Sequence, residues 1–198
     1  HTACRAFSHN VKTSWSTLTE MLESSTKLYA EKPLFGVEEE GKYQWVTYKD
    51  FSHEVDQMRA NLESENIKKG DRVALVCNNR REWAVIAYAT YGRGAILVPM
   101  YENQAESDVR FILKNSEASL LFVGTKSLAQ TYSSIVGSPD SKVKKVISID
   151  PVEETGQLEN YCSAIERGSS SNSPVETVEP EEVSTLIYTS GTTGKPKG

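Results

Sequence analysis

The chain has 198 residues, enough to bury one substantial core. Hydrophobic residues make up 38% and charged residues 25%, the balance of a soluble globular protein rather than a disordered one. A net charge of −5, with no basic stripe interleaved with aromatics, argues against nucleic acid as a partner, although a short basic loop could still hold an anion.

Residues 1–13 read as an N-terminal tail. The stretch from His1 to Thr19 holds Arg5, Lys12 and several hydroxyls but no acid, a composition resembling the end of a transit peptide. Trp15, Leu18, Leu22 and Tyr29 recur at helical spacing, and Met21 and Leu28 widen the stripe. This predicts an amphipathic helix over 14–31, ended by Pro33. Leu34–Val37 and Tyr43–Val46 flank an acidic turn containing Gly41 and predict a β-hairpin. Thr47 and Asp50 have the spacing of a helix cap, and Phe51, Val55, Met58 and Leu62 mark the buried face of that helix. Both helical stripes are expected in the core.

From Gly70 onward, strands alternate with helices. Arg72–Cys77, Ile96–Val98, Leu120–Val123 and Val146–Ile149 read as strands. Glu82–Tyr91, Ser107–Asn115 and a shorter stretch near Leu128–Ile135 read as helices between them. The class is therefore α/β, a parallel βαβ sheet covered by helices and preceded by a helix and β-hairpin. Such sheets bind ligands at the carboxyl ends of their strands. Asn78-Asn79 and Thr189-Ser190 each follow a predicted strand and are candidates for that edge; for the asparagines the alternative is an ordinary cap or turn. Residues 168–182, rich in Ser, Pro and Glu, read as a flexible loop before a final strand at Thr185–Tyr188.

Cys4, Cys77 and Cys162 are odd in number and far apart, the pattern of reduced thiols in an intracellular compartment. His1, His9 and His53 show no ligand-like spacing, so no metal site is expected from these residues. No stretch reaches the roughly 18–20 apolar residues that a membrane-spanning helix needs.

Chemistry concentrates at the end of the chain. Thr189, Ser190, Thr192 and Thr193 supply hydroxyls, Gly191 and Gly194 let backbone N–H groups approach closely, and Lys195 supplies a mobile charge. That set suits a polyphosphate. It fails the G-x-x-x-x-G-K-[ST] pattern of P-loop NTPases twice, because Thr189 stands where a glycine is required and Pro196 where the magnesium-binding hydroxyl belongs. Since the loop is also where the chain stops, the sequence reads as an N-terminal fragment of something longer.

Tyr188–Gly198 resembles the phosphate-binding signature of the adenylate-forming, acyl-activating (AMP-binding) superfamily, which includes acyl-CoA synthetases, luciferases and peptide-synthetase adenylation domains. Lys69-Gly70-Asp71-Arg72-Val73-Ala74, Asn79-Arg80-Arg81-Glu82-Trp83 and Gly94–Tyr101 are similar to its N-terminal segments in the same order. The resemblance covers residues 14–198, and the Glu82-Trp83 pair and Val98–Glu102 most resemble long-chain fatty acyl-CoA synthetases. It implies an incomplete adenylation domain over 14–198, the N-terminal part of the large domain of an acyl-adenylate synthetase. The parent protein would convert a long-chain fatty acid to acyl-AMP and then acyl-CoA, using ATP, Mg²⁺ and coenzyme A.

By position in the signature, Thr189, Ser190, Thr192 and Thr193 would donate to the β- and γ-phosphates, Gly191 and Gly194 would let the loop fold over them, and Lys195 would add charge. Lys197 would be a second phosphate contact or a solvated surface lysine. The family's adenine, ribose, Mg²⁺ and fatty-acid sites and its C-terminal lysine fall after this loop. No catalytic residue is therefore expected within the chain, and the 198-residue polypeptide is expected to be inactive alone. Peripheral membrane association at endoplasmic reticulum, peroxisome or plastid is implied for the parent. An acyl-carrier-protein ligase and a noncatalytic nucleotide-binding module are the alternatives.

Overall fold

The computed structural model describes residues 14–190 and 196–198. Helix α1 (Leu18–Tyr29) opens with Thr17, whose hydroxyl accepts from the Glu20 amide at 3.2 Å. Strands β1 (Pro33–Glu39) and β2 (Lys42–Thr47) pair antiparallel. They turn through Glu40 and Gly41, both at positive φ (51° and 76°), as a two-residue hairpin turn of the primed type requires. Helix α2 (Tyr48–Ser64) begins at the expected capping box: Asp50 N donates to Thr47 Oγ1 at 3.1 Å, and Thr47 N donates to Asp50 Oδ2 at 3.2 Å.

Five parallel strands follow: β3 (Arg72–Val76), β4 (Ile96–Met100), β5 (Leu120–Val123), β6 (Lys145–Ser148) and β7 (Leu158–Asn160). Their spatial order is β4-β3-β5-β6-β7. Helix α3 (Arg81–Gly92) joins β3 to β4, α4 (Glu106–Ser116) joins β4 to β5, α5 (Lys126–Tyr132) with a 3₁₀ turn (Ser133–Ile135) joins β5 to β6, and α6 (Tyr161–Ser169) follows β7.

The strand period of two sorts the core. Val73, Leu75, Leu97, Leu120, Phe122 and Ile147 face α2, α3 and α6, whereas Ala74, Val76, Val98, Leu121, Val123 and Val146 face α4 and α5. Because both faces are buried, the strands read as unbroken apolar runs. The chain runs from β3 out to β4 and then returns past β3 to β5, so its direction reverses beside β3 and the helices after β3 and β4 cover opposite faces.

Three features depart from the sequence reading. The stripe on α1 is not in the core: no residue of α1 is buried, and Leu22 alone of the four stripe positions packs against it as a partly buried side chain. The helix meets α2 and α3 along one side only, and Trp15 and Leu18 remain 37% and 39% exposed. Strand β7 and helix α6 lie in a stretch that carried no such prediction. α6 crosses α2 at Gly168, where a Cβ would lie 1.8 Å from Gln57 O, so the contact demands the residue that hides the helix from pattern reading.

The third departure is at Thr185–Tyr188, which is not a continuous strand. Leu97 N donates to Ser184 O and Leu186 N to Leu97 O, both at 2.9 Å, giving one parallel bridge on the outer edge of β4. The next outward-facing donor on β4 would be residue 99. It is Pro99, which has no N–H, so the pairing stops and the chain leaves the sheet.

Candidate functional site

The closing segment forms a second hairpin, in which β8 (Thr189–Ser190) pairs antiparallel with β9 (Pro196–Lys197). Thr189 faces Lys197 and Ser190 faces Pro196, so the intervening residues link two paired strands. Gly191, Thr192, Thr193, Gly194 and Lys195 lie outside the described residues. Pro196 is buried and Lys197 exposed. Tyr188 holds the base of the hairpin: its hydroxyl donates to Asn115 Oδ1 at 2.6 Å, and its ring lies so near Gly198 that a Cβ there would fall 2.8 Å away.

Asn115 lies in the last turn of α4, which returns the chain to the amino ends of the strands. Thr189-Ser190 therefore does not share the carboxyl edge with Asn78-Asn79 as the sequence suggested. The cause is the stop at Pro99, which releases the chain from β4 near its start.

The carboxyl edge is a polar knot. Asn78 N donates to Glu102 Oε2 at 3.1 Å, and Arg80 donates to Glu82 at 2.9 Å, Asp150 at 3.0 Å and Gly124 O at 3.3 Å. One guanidinium thus ties together the loops after β3, β5 and β6. Burial disfavours ionisation of Glu82, yet the hydrogen bonds from Arg80 hold its carboxyl below the usual range. Cys77 follows β3 beneath this knot, and burial pushes its thiol up to about 12. Gly124 packs against it closely enough that a Cβ would come within 2.6 Å of the Cys77 Cβ. Beside the knot, Phe35, Val46, Trp83, Asn79 and Arg81 line a groove of about 910 Å³ between the first hairpin and the start of α3. The motif Lys69–Arg72 has local work to do: Gly70, at φ 84°, donates to Gly94 O at 2.8 Å, and Arg72 Nε donates to Ser116 O at 2.6 Å.

Residues 22–198 match the sequence model of a protein family described as AMP-binding enzyme. The chain belongs to that family. Its match to the AMP-binding enzymes takes in the whole sheet and the closing hairpin. A long-chain-fatty-acid–CoA ligase of Mycobacterium bovis is 32% identical over 165 residues, which cover 80% of this chain and 26% of that protein. The peroxisomal long chain acyl-CoA synthetase 7 of Arabidopsis thaliana is 27% identical over 196 residues, covering 92% and 28%. The chain thus spans about a quarter of the length of these relatives. The fold is also that of the anthranilate CoA ligase AuaEII, solved with anthranoyl-AMP, at a TM-score of 0.76 and 22% identity over 91% of this chain and 33% of that one.

Among the described residues no three His, Cys, Asp or Glu side chains converge to hold a metal ion. No described helix is long and apolar enough to cross a membrane.

Proposed function

We propose that the natural protein carrying this chain activates a long-chain fatty acid. A carboxylate oxygen attacks the α-phosphorus of ATP, the bond to the bridging oxygen breaks, and acyl-AMP and pyrophosphate form. The thiol of coenzyme A then attacks the acyl carbon and AMP leaves with the bonding pair.

The observation that carries this reading is the closing hairpin: a loop of hydroxyls, glycines and Lys195, spanned by two paired strands, inside the segment that matches the AMP-binding family. Its role is assigned to the departing pyrophosphate. Thr189, Ser190, Thr192 and Thr193 donate to phosphate oxygens, Gly191 and Gly194 allow backbone amides to reach them, and Lys195 balances the gathering charge. Pro196 fixes the exit of the loop and ligates nothing. The long-chain acid and the coenzyme A acceptor are supported by the relatives at 32% and 27% identity, a long-chain-fatty-acid–CoA ligase and a long chain acyl-CoA synthetase. Intracellular placement at an endoplasmic reticulum, peroxisomal or plastid membrane is proposed alongside, supported by unpaired Cys77 and Cys162 and by the peroxisomal Arabidopsis relative.

The test is a product assay on the full-length natural protein with ATP, coenzyme A and saturated acids of graded chain length. Acyl-CoA and AMP in equal amounts, with a maximum at long chains, support the reading. ADP in place of AMP, or turnover confined to short or aromatic acids, overturns it.

A further inference from the structure

The segment after α6 is acidic: Glu176, Glu179, Glu181 and Glu182 lie in it, and no basic residue occurs between Arg167 and Lys195. Expected to be flexible, it is bolted down by three basic side chains that come from far away in sequence. Arg59, on α2, donates through Nε at 2.9 Å and Nη2 at 2.7 Å to Ser173 O. Arg93 donates to Ser173 Oγ at 3.2 Å and pairs with Glu176 at 3.5 Å. Lys69 donates to Thr177 O at 2.9 Å and Glu182 Oε1 at 2.7 Å.

Arg59, Arg93 and Ser173 are 7%, 6% and 1% exposed, so the first two anchors are interior ones. The backbone continues the series. Glu176 N donates to Gly92 O at 2.8 Å, the Tyr91 and Thr185 hydroxyls meet at 3.1 Å, and Leu97 pairs with Ser184 and Leu186. Most anchors converge on one corner, where α3 ends and β4 begins. The corner is shaped for the purpose. A Cβ on Gly92 would lie 2.9 Å from Arg59 Cδ, and Gly94, at φ 59°, has Lys69 and Val178 where a side chain would go.

The strap has one continuation, the hairpin that begins three residues after Leu186. We infer that Arg93, supported by Arg59 and Lys69, is a positioning residue for the closing loop: by clamping residues 173–186 to the α3–β4 corner it fixes the point from which the loop starts. The inference rests on the adenylation reading for its consequence in catalysis, but not for the clamp itself. Arg93 is too deeply engaged with Ile67 O, at 3.3 Å, and with Ser173 to touch nucleotide, so it acts only through the strap.

The test uses the full-length protein with Arg93→Gln and Arg93→Lys. Hydrogen exchange is read at the amides of Glu176 and Leu186, and the KM for ATP and for the acid are read separately. Arg93→Gln is expected to speed exchange at both amides about tenfold by easing local opening. It should raise the KM for ATP about three- to tenfold while the KM for the acid holds, because misplacement of one binding group is felt by its own ligand. Arg93→Lys, which keeps the charge but not the fork, should recover part of both effects. Unchanged exchange at Leu186, or equal rises in both KM values, overturns the inference. Should Arg93→Gln not fold, Lys69→Met at the exposed end of the strap is held to the same two readouts. If the wild-type protein fails to use ATP, the adenylation reading falls, while the exchange comparison still decides whether the clamp exists.

Discussion

Gly168 shows how one residue can set a helix crossing. In an open helix, replacing glycine by alanine gains about 1 kcal/mol in backbone entropy. Here the new methyl would sit 1.8 Å from Gln57 O and 3.1 Å from Asn61 N, so α2 and α6 must part. Overpacking of this kind costs about 3 kcal/mol and outweighs the gain, so Gly168→Ala is expected to lower the urea midpoint of unfolding. An unchanged midpoint would mean that the two helices do not cross at this residue. Cys77 gives a second prediction at this scale. Its thiol is raised from 9.0 to about 12 by burial, so the folded chain holds its proton more tightly than the unfolded one. The resulting stability is complete below pH 9 and drains away as pH rises toward 12. At pH 8 an alkylating reagent should therefore modify exposed Cys162 and spare Cys77 until the protein unfolds.

Among the elements, what could be read from sequence was what local chemistry dictates. The capping box of Thr47 and Asp50, the buried face of α2 and the apolar runs of β3 and β5 are statements about neighbours a few residues apart, and they stand where they were expected. What could not be read depends on distant partners. Strand β7 has three residues, too few to show a period, and α6 is disguised by the glycine that its crossing requires. The anchors of the strap could not be read because Arg59 lies 114 residues away from Ser173 and Lys69 lies 113 from Glu182. Pro99 did carry a legible signal, since a proline with no N–H marks a sheet edge, and it limits the pairing of the final segment.

A partly buried ionic network ties β7 and α6, the elements that were missed, to β6 and the end of α2. Lys145 on β6 pairs with Glu65 and Glu159, and Arg167 on α6 pairs with the same two carboxylates. Lys145→Ala leaves Glu159, 8% exposed, with one partner, and is expected to cost about 3 kcal/mol of stability in chemical denaturation. Replacing Lys145 and Glu159 together by Met and Gln should cost less than the two single changes summed, because no buried charge is stranded. Strict additivity would show that the network carries no coupling.

For the molecule as a whole, the sheet, the strap and the hairpin form one line of support. The sheet buries both faces, its β4 edge and the α3–β4 corner hold the strap, and the strap delivers a loop whose residues suit a polyphosphate. Family membership and the two faces of the sheet stand on the match over residues 22–198 and on the architecture itself. The polyphosphate role proposed for the loop rests on its composition, and its position in the fold was not legible: the hairpin base sits against Asn115 instead of beside Asn78. The central claim is that Lys195 and its neighbouring hydroxyls stabilise departing pyrophosphate. Its most direct measurement is fatty-acid-dependent ATP–pyrophosphate exchange by the full-length protein, wild type against Lys195→Ala. Loss of one such charge-stabilising donor should slow exchange about 100-fold while the variant keeps its melting temperature. Exchange at the wild-type rate in a folded Lys195→Ala protein would contradict it.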